Sequence, residues 1–378
     1  MKKIAFLKET YPKERRTSTL PSIVEKYKKI GAEVAIEADL GKTLHIPDSE
    51  YEKKGAIIFK DKKELIDFAD IIMHMRQPTP DEVALFKKGS LHISFLDPFK
   101  SKDVVDAMAK NNITCISMEM MPRSTIAQKM DALSSQANLA GYFAVLKASD
   151  LLDKIFPMMT TPAGTISPAR VFIIGVGVAG LQAIATSRRL GARVDAFDTR
   201  PVVEEQVKSL GAKFVKVDLG ETGQTKEGYA KALTDEQLQK QKEAMAKVCE
   251  QSDIVITTAQ VFGRKAPVIV TKDMIEKMKK GSIVVDMAVE SGGNVEGSKM
   301  DEIVEVNGVK IVGLANMANY IPYDASYMYG SNLYNLINHF WDKEKKEFIL
   351  DMSNDLLQGC ILTHDGKIVN AKLLEGGK

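Results

Sequence analysis

Residues 170–200, RVFIIGVGVAGLQAIATSRRLGARVDAFDTR, constrain the fold more than any other stretch of the chain. Four apolar residues in a row, Val171 to Ile174, suit a strand buried on both faces. Gly175, Gly177 and Gly180 follow at GxGxxG spacing. A helical pattern then runs to Leu190 and stops at Gly191, and a second strand, Arg193 to Phe197, ends on Asp198. Strand, glycine turn, helix, strand and acid in this order form the dinucleotide-binding fingerprint. The first glycine permits the tight turn, the second brings bare backbone against a pyrophosphate, and the third lets helix and strand pack closely. The helix N-terminus, opened by Val178 and Ala179, adds backbone N–H groups and a positive dipole end. Asp198 is placed to accept from a ribose 2′-hydroxyl. A 2′-phosphate there would meet a carboxylate, so NAD is expected over NADP. Thr199 and Arg200 follow in the same loop, and the cation of Arg200 argues in the opposite direction.

At 378 residues the chain exceeds one ordinary core and suits two domains. With 52 basic and 50 acidic residues the net charge is +2, and nothing in it suggests a nucleic-acid binder. Cys115, Cys249 and Cys360 are far apart and odd in number, which fits a reducing cytosol better than a disulfide framework. The N-terminus carries charge without a long apolar core, so no signal peptide is expected. No apolar run approaches the roughly 18 residues that cross a membrane.

Along the chain, Lys3–Leu7, Glu33–Ile36, Asp70–Met73, Leu91–Phe95 and Thr114–Ser117 read as strands. They alternate with helical stretches such as Ser22–Ile30, Asp81–Phe86 and Lys102–Lys110, an α/β pattern. The loop after the first strand holds Lys8, Glu9, Arg15 and Arg16, which are site candidates because such loops face the ligand crevice. A solvated basic loop is the plainer alternative. From about Ala127 the pattern turns helical, and one long helix there leaves the first domain for the second. Residues 150–162 read as a loop-like join. After Asp198, strands are expected at 213–217, 253–258, 282–288 and 309–312, which gives the six of a complete doubly wound domain. Residues 218–237 break the alternation and carry the isolated Tyr229, as a lid over a site would, or an insertion without order. A helix over 323–341 returns the chain to the first domain. The boundaries expected are 1–135 plus 325–378 for an N-terminal Rossmann-like domain and 140–320 for an NAD(H)-binding one, with a cleft between them.

Strand ends supply the other candidates. Thr258, Ala259 and Gln260 follow the fourth strand of the second domain, Glu290 the fifth and Asn316 the sixth. Serine-hydrolase and metal spacings are missing from the sequence. A dehydrogenase acting on an alcohol or amine moves a proton as well as a hydride and needs a base. Only His74 sits at an expected strand end, beside two methionines, where packing is the commoner role. Upstream, Arg123, Gln128, Asp131 and Ser134 form a polar set. Gln128 and Asp131 share a helical face if the helix has begun there. Capping by Ser124 or Thr125 explains the same polarity without a ligand.

These residues carry a resemblance. The stretch MPRSTIAQKMDALSSQANLAGYFAV, then VFIIGVGVAGLQAIATSRRLGA and IVVDMAVESGGN, is similar to the NAD(H)-binding component of the proton-translocating NAD(P) transhydrogenases. KETYPKERRTST and the RQP of residues 76–78 resemble the wider superfamily shared with alanine dehydrogenase. The resemblance covers essentially the whole chain. It implies an NAD(P)+ transhydrogenase alpha subunit whose Arg123, Gln128 and Asp131 position the nicotinamide, its ribose and phosphates, with Ser134 beside them. It implies that Asp198 holds the adenosine ribose and that Tyr229 tops a mobile loop. Gly263 and Lys265 to Pro267 match a loop of that family. It also implies a homodimer, a partner beta subunit carrying NADP(H), and a small membrane subunit, with this chain cytoplasmic and peripheral at the inner membrane.

The residues support that reading at one point. Hydride transfer between two nicotinamides needs no proton shuttle, only two C4 atoms at near-attack distance in a dry site. The alanine-dehydrogenase reading finds His74 where that family has a catalytic lysine, and Asp97 where it has a histidine. An amino-acid dehydrogenase of the alanine type and a non-catalytic NAD-sensing regulator stand as alternatives.

Overall fold

A computed structural model of the chain describes residues 2–218, 234–260 and 263–375. The chain divides into two compact units, residues 1–136 with 319–378, and residues 137–318. Unit 1 opens with β1 (Lys3–Phe6), β2 (Glu33–Glu37), β3 (Ile57–Phe59), β4 (Ile71–Met73), β5 (Leu91–Ser94) and β6 (Thr114–Ser117). These pair in parallel in the order β3–β2–β1–β4–β5–β6. The strands β1, β4, β5 and β6 are almost wholly buried, as a parallel sheet covered on both faces requires.

Two details of the next stretch depart from the sequence reading. One unbroken helix from Ala127 is not what forms. Ala127–Met130 is a short 3-10 turn, Asp131 leaves it with extended backbone, and the α-helix is Ala132–Leu151. The capping chemistry of Asp131 is the reason, because a carboxylate that takes the first amides of a helix must stand outside it. The join at 150–162 is only partly loop. It contains half of a small exposed hairpin, β7 (Met159–Thr161) and β8 (Gly164–Ile166), which had no apolar alternation to announce it.

Unit 2 contains β9 (Arg170–Ile174), β10 (Arg193–Phe197), β11 (Lys213–Phe214), β12 (Ile254–Thr257), β13 (Ile283–Asp286), β14 (Ile303–Val306) and β15 (Val309–Val312). Their order is β11–β10–β9–β12–β13–β15–β14, parallel except for β14. Successive residues of β9 feed opposite cores. Val171 and Ile173 join one with Ile254, Ile256, Ile283 and Val285, while Phe172 and Ile174 join the other with Val255, Val284 and Ile311. The strand expected over 213–217 is shorter, Lys213–Phe214. The edge strand β14 is an addition. Its partner is reached through Asn307–Gly308, both at positive φ, the pairing that favours a two-residue hairpin turn.

The helix Pro322–His339 brings the chain back into unit 1. It is followed by the small pair β16 (Trp341–Asp342) and β17 (Glu347–Phe348). The strands β18 (Ile361–His364) and β19 (Lys367–Ile368) then extend the first sheet beyond β6 in antiparallel fashion. No helix among the described residues is long and apolar enough to cross a membrane.

Candidate functional site

In unit 2 the fingerprint residues gather at the carboxyl edge of the sheet, where strand order reverses between β9 and β12. Gly175 leaves β9 with φ of 94°, a conformation that L side chains rarely adopt. The Thr258 hydroxyl, at the end of β12, donates to the Gly175 carbonyl at 2.8 Å. A Cβ on Gly180 would collide with that same carbonyl oxygen, so glycine here sets how closely the helix Val178–Arg189 meets β9. Gly177 is different. A Cβ there would meet nothing within 4 Å, so the backbone faces open space, as a surface that receives phosphate requires. Gly177 and Val178 are exposed, and the first-turn amides of a helix have no intrahelical acceptor. A dinucleotide pyrophosphate fits this cradle.

Gly141 escaped the sequence reading. It lies on the helix Ala132–Leu151, and a Cβ on it would collide with the Ala179 carbonyl oxygen. The signal was there in LAGYF, a glycine in mid-helix, which usually marks close packing.

Asp198 turns back onto the glycine turn. Its Oδ2 accepts from the Val176 N–H at 2.7 Å and from Arg200 Nη2 at 2.7 Å. Its Oδ1 accepts from the Arg200 N–H and Nε, both at 2.8 Å. Thr199 lies between them, half-buried.

The loops after β12 and β13 are tied by one buried amide. Asn294 accepts from the Ala259 N–H at 3.0 Å and donates to the carbonyls of Ala259 and Pro267. Asp286, fully buried, holds the amides of Ala288 and Asn294. Gln260 donates to the Met287 carbonyl at 2.8 Å, and Glu290 accepts from the Asn316 N–H at 2.9 Å. The candidates Thr258, Ala259, Gln260 and Glu290 therefore belong to one connected rim. Asp286 stands at the expected end of the fifth strand, where strand ends supply candidates. Sequence reasoning missed Asn294, although it stands in the same DMAVESGGN stretch.

In unit 1, Arg123 and Gln128 are exposed. The Ser124 hydroxyl accepts from the Ala127 N–H at 3.3 Å, a local contact before the short turn, whose N-cap is Ile126 and carries no side-chain bond. Gln128 and Asp131 do not share a helical face, because the turn ends between them. Asp131 Oδ1 instead accepts from the Ser134 N–H at 2.9 Å, and Oδ2 accepts from the Ser134 hydroxyl at 2.6 Å. Asn332 and Asn335 both donate to the Lys129 carbonyl, which fixes the turn against the helix Pro322–His339. Tyr229 lies outside the described residues.

The loop after β1 divides the other candidates. Arg15 is exposed. Arg16 is buried, bonded to Glu14 through Nε and Nη2 and to Gln136 through Nη1. Glu9 accepts from the amides of Met75 and Arg76, and burial raises its pKa to about 7. His74 is enclosed. Its Nδ1 lies 3.1 Å from His92 Nε2, and its Nε2 lies 3.6 Å from Glu82. Burial would raise the Glu82 pKa, but His74 and Lys62 outweigh it and hold the group at about 2. Burial and the neighbouring His74 keep His92 neutral. Among the described residues, no cluster of His, Cys, Asp and Glu is suited to hold a metal ion.

Two doubly wound sheets, one with a glycine turn backed by an acid, define a two-domain α/β protein of the dinucleotide-binding class. The alanine dehydrogenase/PNT N-terminal domain matches residues 5–140, and the alanine dehydrogenase/PNT C-terminal domain matches residues 144–371. An NAD(P) transhydrogenase alpha-subunit chain of Rhodospirillum rubrum is 43% identical over 382 residues, spanning 99% of this chain and 100% of that one. Its counterpart in Rickettsia prowazekii is 44% identical over 373 residues, spanning 97% and 96%. The crystal structure of transhydrogenase from Sinorhizobium meliloti matches with a TM-score of 0.88 at 42% identity, over 97% of this chain and 100% of that one. The chain belongs to the alanine dehydrogenase/PNT family, among its NAD(P) transhydrogenase alpha subunits.

Proposed function

We propose that this chain is the NAD(H)-binding subunit of a proton-translocating transhydrogenase, which passes hydride from NADH to NADP+ held on a partner subunit. The observation that carries the reading is the complete dinucleotide turn of unit 2, in a chain similar from end to end to transhydrogenase alpha subunits. NAD(H) is then a substrate, and its reduced nicotinamide C4 supplies the hydride. The amides of Gly177, Val178 and Ala179 take the pyrophosphate, and Asp198 takes the adenosine ribose. Thr258, Ala259, Gln260 and Glu290 line the rim toward the nicotinamide. Arg123, Gln128, Asp131 and Ser134 orient the nicotinamide, its ribose and phosphates. Asp131 and Ser134 act there as one group, since both carboxylate oxygens are bonded to the serine.

The reaction asks for position and dryness more than for a base. The enclosure of His74 by Phe86, His92 and Glu82 supports this, because that imidazole is buried away from any substrate. The working assembly is a homodimer of this chain with an NADP-binding beta subunit and a small membrane subunit. The membrane subunits move the proton, and this chain sits peripherally on the cytoplasmic side of the inner membrane.

The test is to mix the full chain with an NADP-binding partner component and follow NADH-dependent reduction of an NADP analogue. Turnover is expected only with both components present. Oxidation of alanine with NAD by this chain alone would replace the proposal with an amino-acid dehydrogenase. Binding of NADH without transfer under any pairing would leave a regulator.

A further inference from the structure

We propose that Asn332 is a positioning residue for hydride transfer, which holds open the break in the chain that presents Gln128 and Asp131. The inference rests on the reading that those two side chains orient the nicotinamide half of NADH, and it names what keeps them in place.

The residues around the break favour a helix that would run on. Apolar spacing is helical from about Ala127, yet Asp131 stands between a 3-10 turn and the helix Ala132–Leu151 with φ of −71° and ψ of 90°. In a continuous helix the Lys129 carbonyl would accept from the amide four residues on, that of Leu133. Two side-chain amides claim it instead. Asn332 Nδ2 donates to it at 3.0 Å and Asn335 Nδ2 at 2.9 Å. The two asparagines stand three apart on the helix Pro322–His339, so one face of that helix aims both at one oxygen.

Asn332 does more than Asn335. Its Oδ1 accepts from the Ser135 hydroxyl at 2.6 Å, on the far side of Asp131. One side chain, 6% exposed, thus bonds the chain before the break and after it. Asn335 is half-buried, and its bond to Lys129 lies before the break. Ala127 and Met130 are buried while Gln128 between them is exposed, so the turn is seated on its apolar side and presents its glutamine outward. A 3-10 turn of four residues has little stability of its own. If the helix wound back through Asp131, each residue it gained would turn by about 100°. Gln128 would swing away, and the Asp131 carboxylate would leave the Ser134 amide.

The plainer alternative is a tertiary link that only joins two helices. It predicts a lower melting temperature with unchanged kcat in the folded protein. The full chain, mixed with an NADP-binding partner component, separates the two by NADH-dependent reduction of an NADP analogue. Asn332→Ala should lower kcat by about tenfold, since displacing a reacting group by about 1 Å can cost a hundredfold. NADH affinity, read by titration calorimetry, should change by less than about threefold, because the pyrophosphate turn of unit 2 is untouched. Asn332→Asp keeps the acceptor for Ser135 but sets a carboxylate against the Lys129 carbonyl, and it should be as slow as N332A. In N332A/Q128A the two losses should not add, because Asn332 acts through the turn; independent contributions would add. Folded N332A and N332D with wild-type kcat, beside a slow Q128A, would overturn the assignment, as would additive losses in the double variant. If neither Asn332 variant folds, Ser135→Ala decides: a fall in kcat at an unchanged melting temperature upholds the bracket, and wild-type kcat overturns it. Wild-type turnover in both Q128A and D131N would instead refute the nicotinamide role of the turn itself, and the proposal with it.

Discussion

β1 and β9 hold the same place in their sheets, the first between β2 and β4, the second between β10 and β12. Each leads into a loop at the point where a doubly wound sheet offers a crevice. The contents of the two crevices differ. In unit 1 the amides along this edge are taken by the chain's own carboxylates. Glu9 binds those of Met75 and Arg76, Glu37 that of Lys8, and Glu119 those of Leu96 and Asp97. In unit 2 carboxylates also take amides, Asp198 that of Val176 and Asp286 those of Ala288 and Asn294, but Gly177 and Val178 at the start of the following helix stay exposed. Both edges hold the chain's own anions, and unit 2 alone pairs them with an exposed glycine turn at a helix N-terminus, which leaves room for a ligand's. Topology offers the place, and side chains decide whether it is a site.

The sharpest way to break this contrast is Gly180→Ala. The added methyl collides with the Gly175 carbonyl oxygen and displaces the helix N-terminus from β9. NADH affinity should fall by about a hundredfold or more, comparable to several kcal/mol of lost phosphate contact. Hydrogen exchange in β1 and β4 should not change. Undiminished binding would show that unit 2 is not where the nucleotide sits.

A second test uses pH. Burial raises the pKa of Glu9 from 4.5 to about 7, against the pull of His74 and two backbone amides. Burial raises that of Glu119 as well. The folded protein therefore holds a proton on Glu9 that the unfolded chain has released between about pH 4.5 and 7. The stability this contributes is complete below the lower value and is lost as pH rises through the upper one. In unit 2 Asp253 moves the other way, because Arg170, Lys154 and Lys279 outweigh its burial. Between pH 5 and 8, exchange protection in unit 1 should fall relative to unit 2, by up to about 3 kcal/mol. Glu9→Gln should flatten that dependence. A slope that Glu9→Gln leaves intact would move its origin elsewhere in unit 1.

Much of this contrast was legible in the residues, and the illegible parts have identifiable causes. The buried parallel strands announce themselves as apolar runs, so Thr114–Ser117 and the core of β9 fall where the pattern puts them. The edge strand β14 did not, because its residues alternate between exposed and half-buried. The Asn–Gly pair after it was the available signal. The glycine turn and Asp198 were legible because spacing alone carries their mechanics. The plugging of unit 1 by glutamates was not. Glu9, Glu37 and Glu119 lie 28 or more residues apart in sequence, and only pairing of the strands sets each against its amides. Periodicity ran straight through Asp131, since a capping residue can look helical in sequence while standing outside the helix.

Asp131 and Asp198 sharpen the comparison at the smallest scale. Each is an aspartate whose carboxylate holds backbone N–H at the mouth of a structural element, Asp131 in unit 1 and Asp198 in unit 2. They differ in their second partner. Asp198 is matched by a guanidinium, whereas Asp131 is matched by the neutral hydroxyl of Ser134 and keeps its charge uncompensated by that contact. Asp131→Asn retains an acceptor for the Ser134 N–H, so the helix Ala132–Leu151 should lose less than about 1 kcal/mol at its N-terminus. If the carboxylate also serves the nicotinamide half of the substrate, the same change should lower hydride transfer by about tenfold, the worth of one charge-assisted hydrogen bond. Ser134→Ala discriminates further. It removes the hydroxyl bond and leaves the N–H bond, so a capping role predicts almost no effect on turnover. A positioning role predicts a drop in kcat with the melting temperature unchanged. Equal and small losses in both variants would reduce Asp131 to a cap and would confine the nucleotide-recognising acids to unit 2.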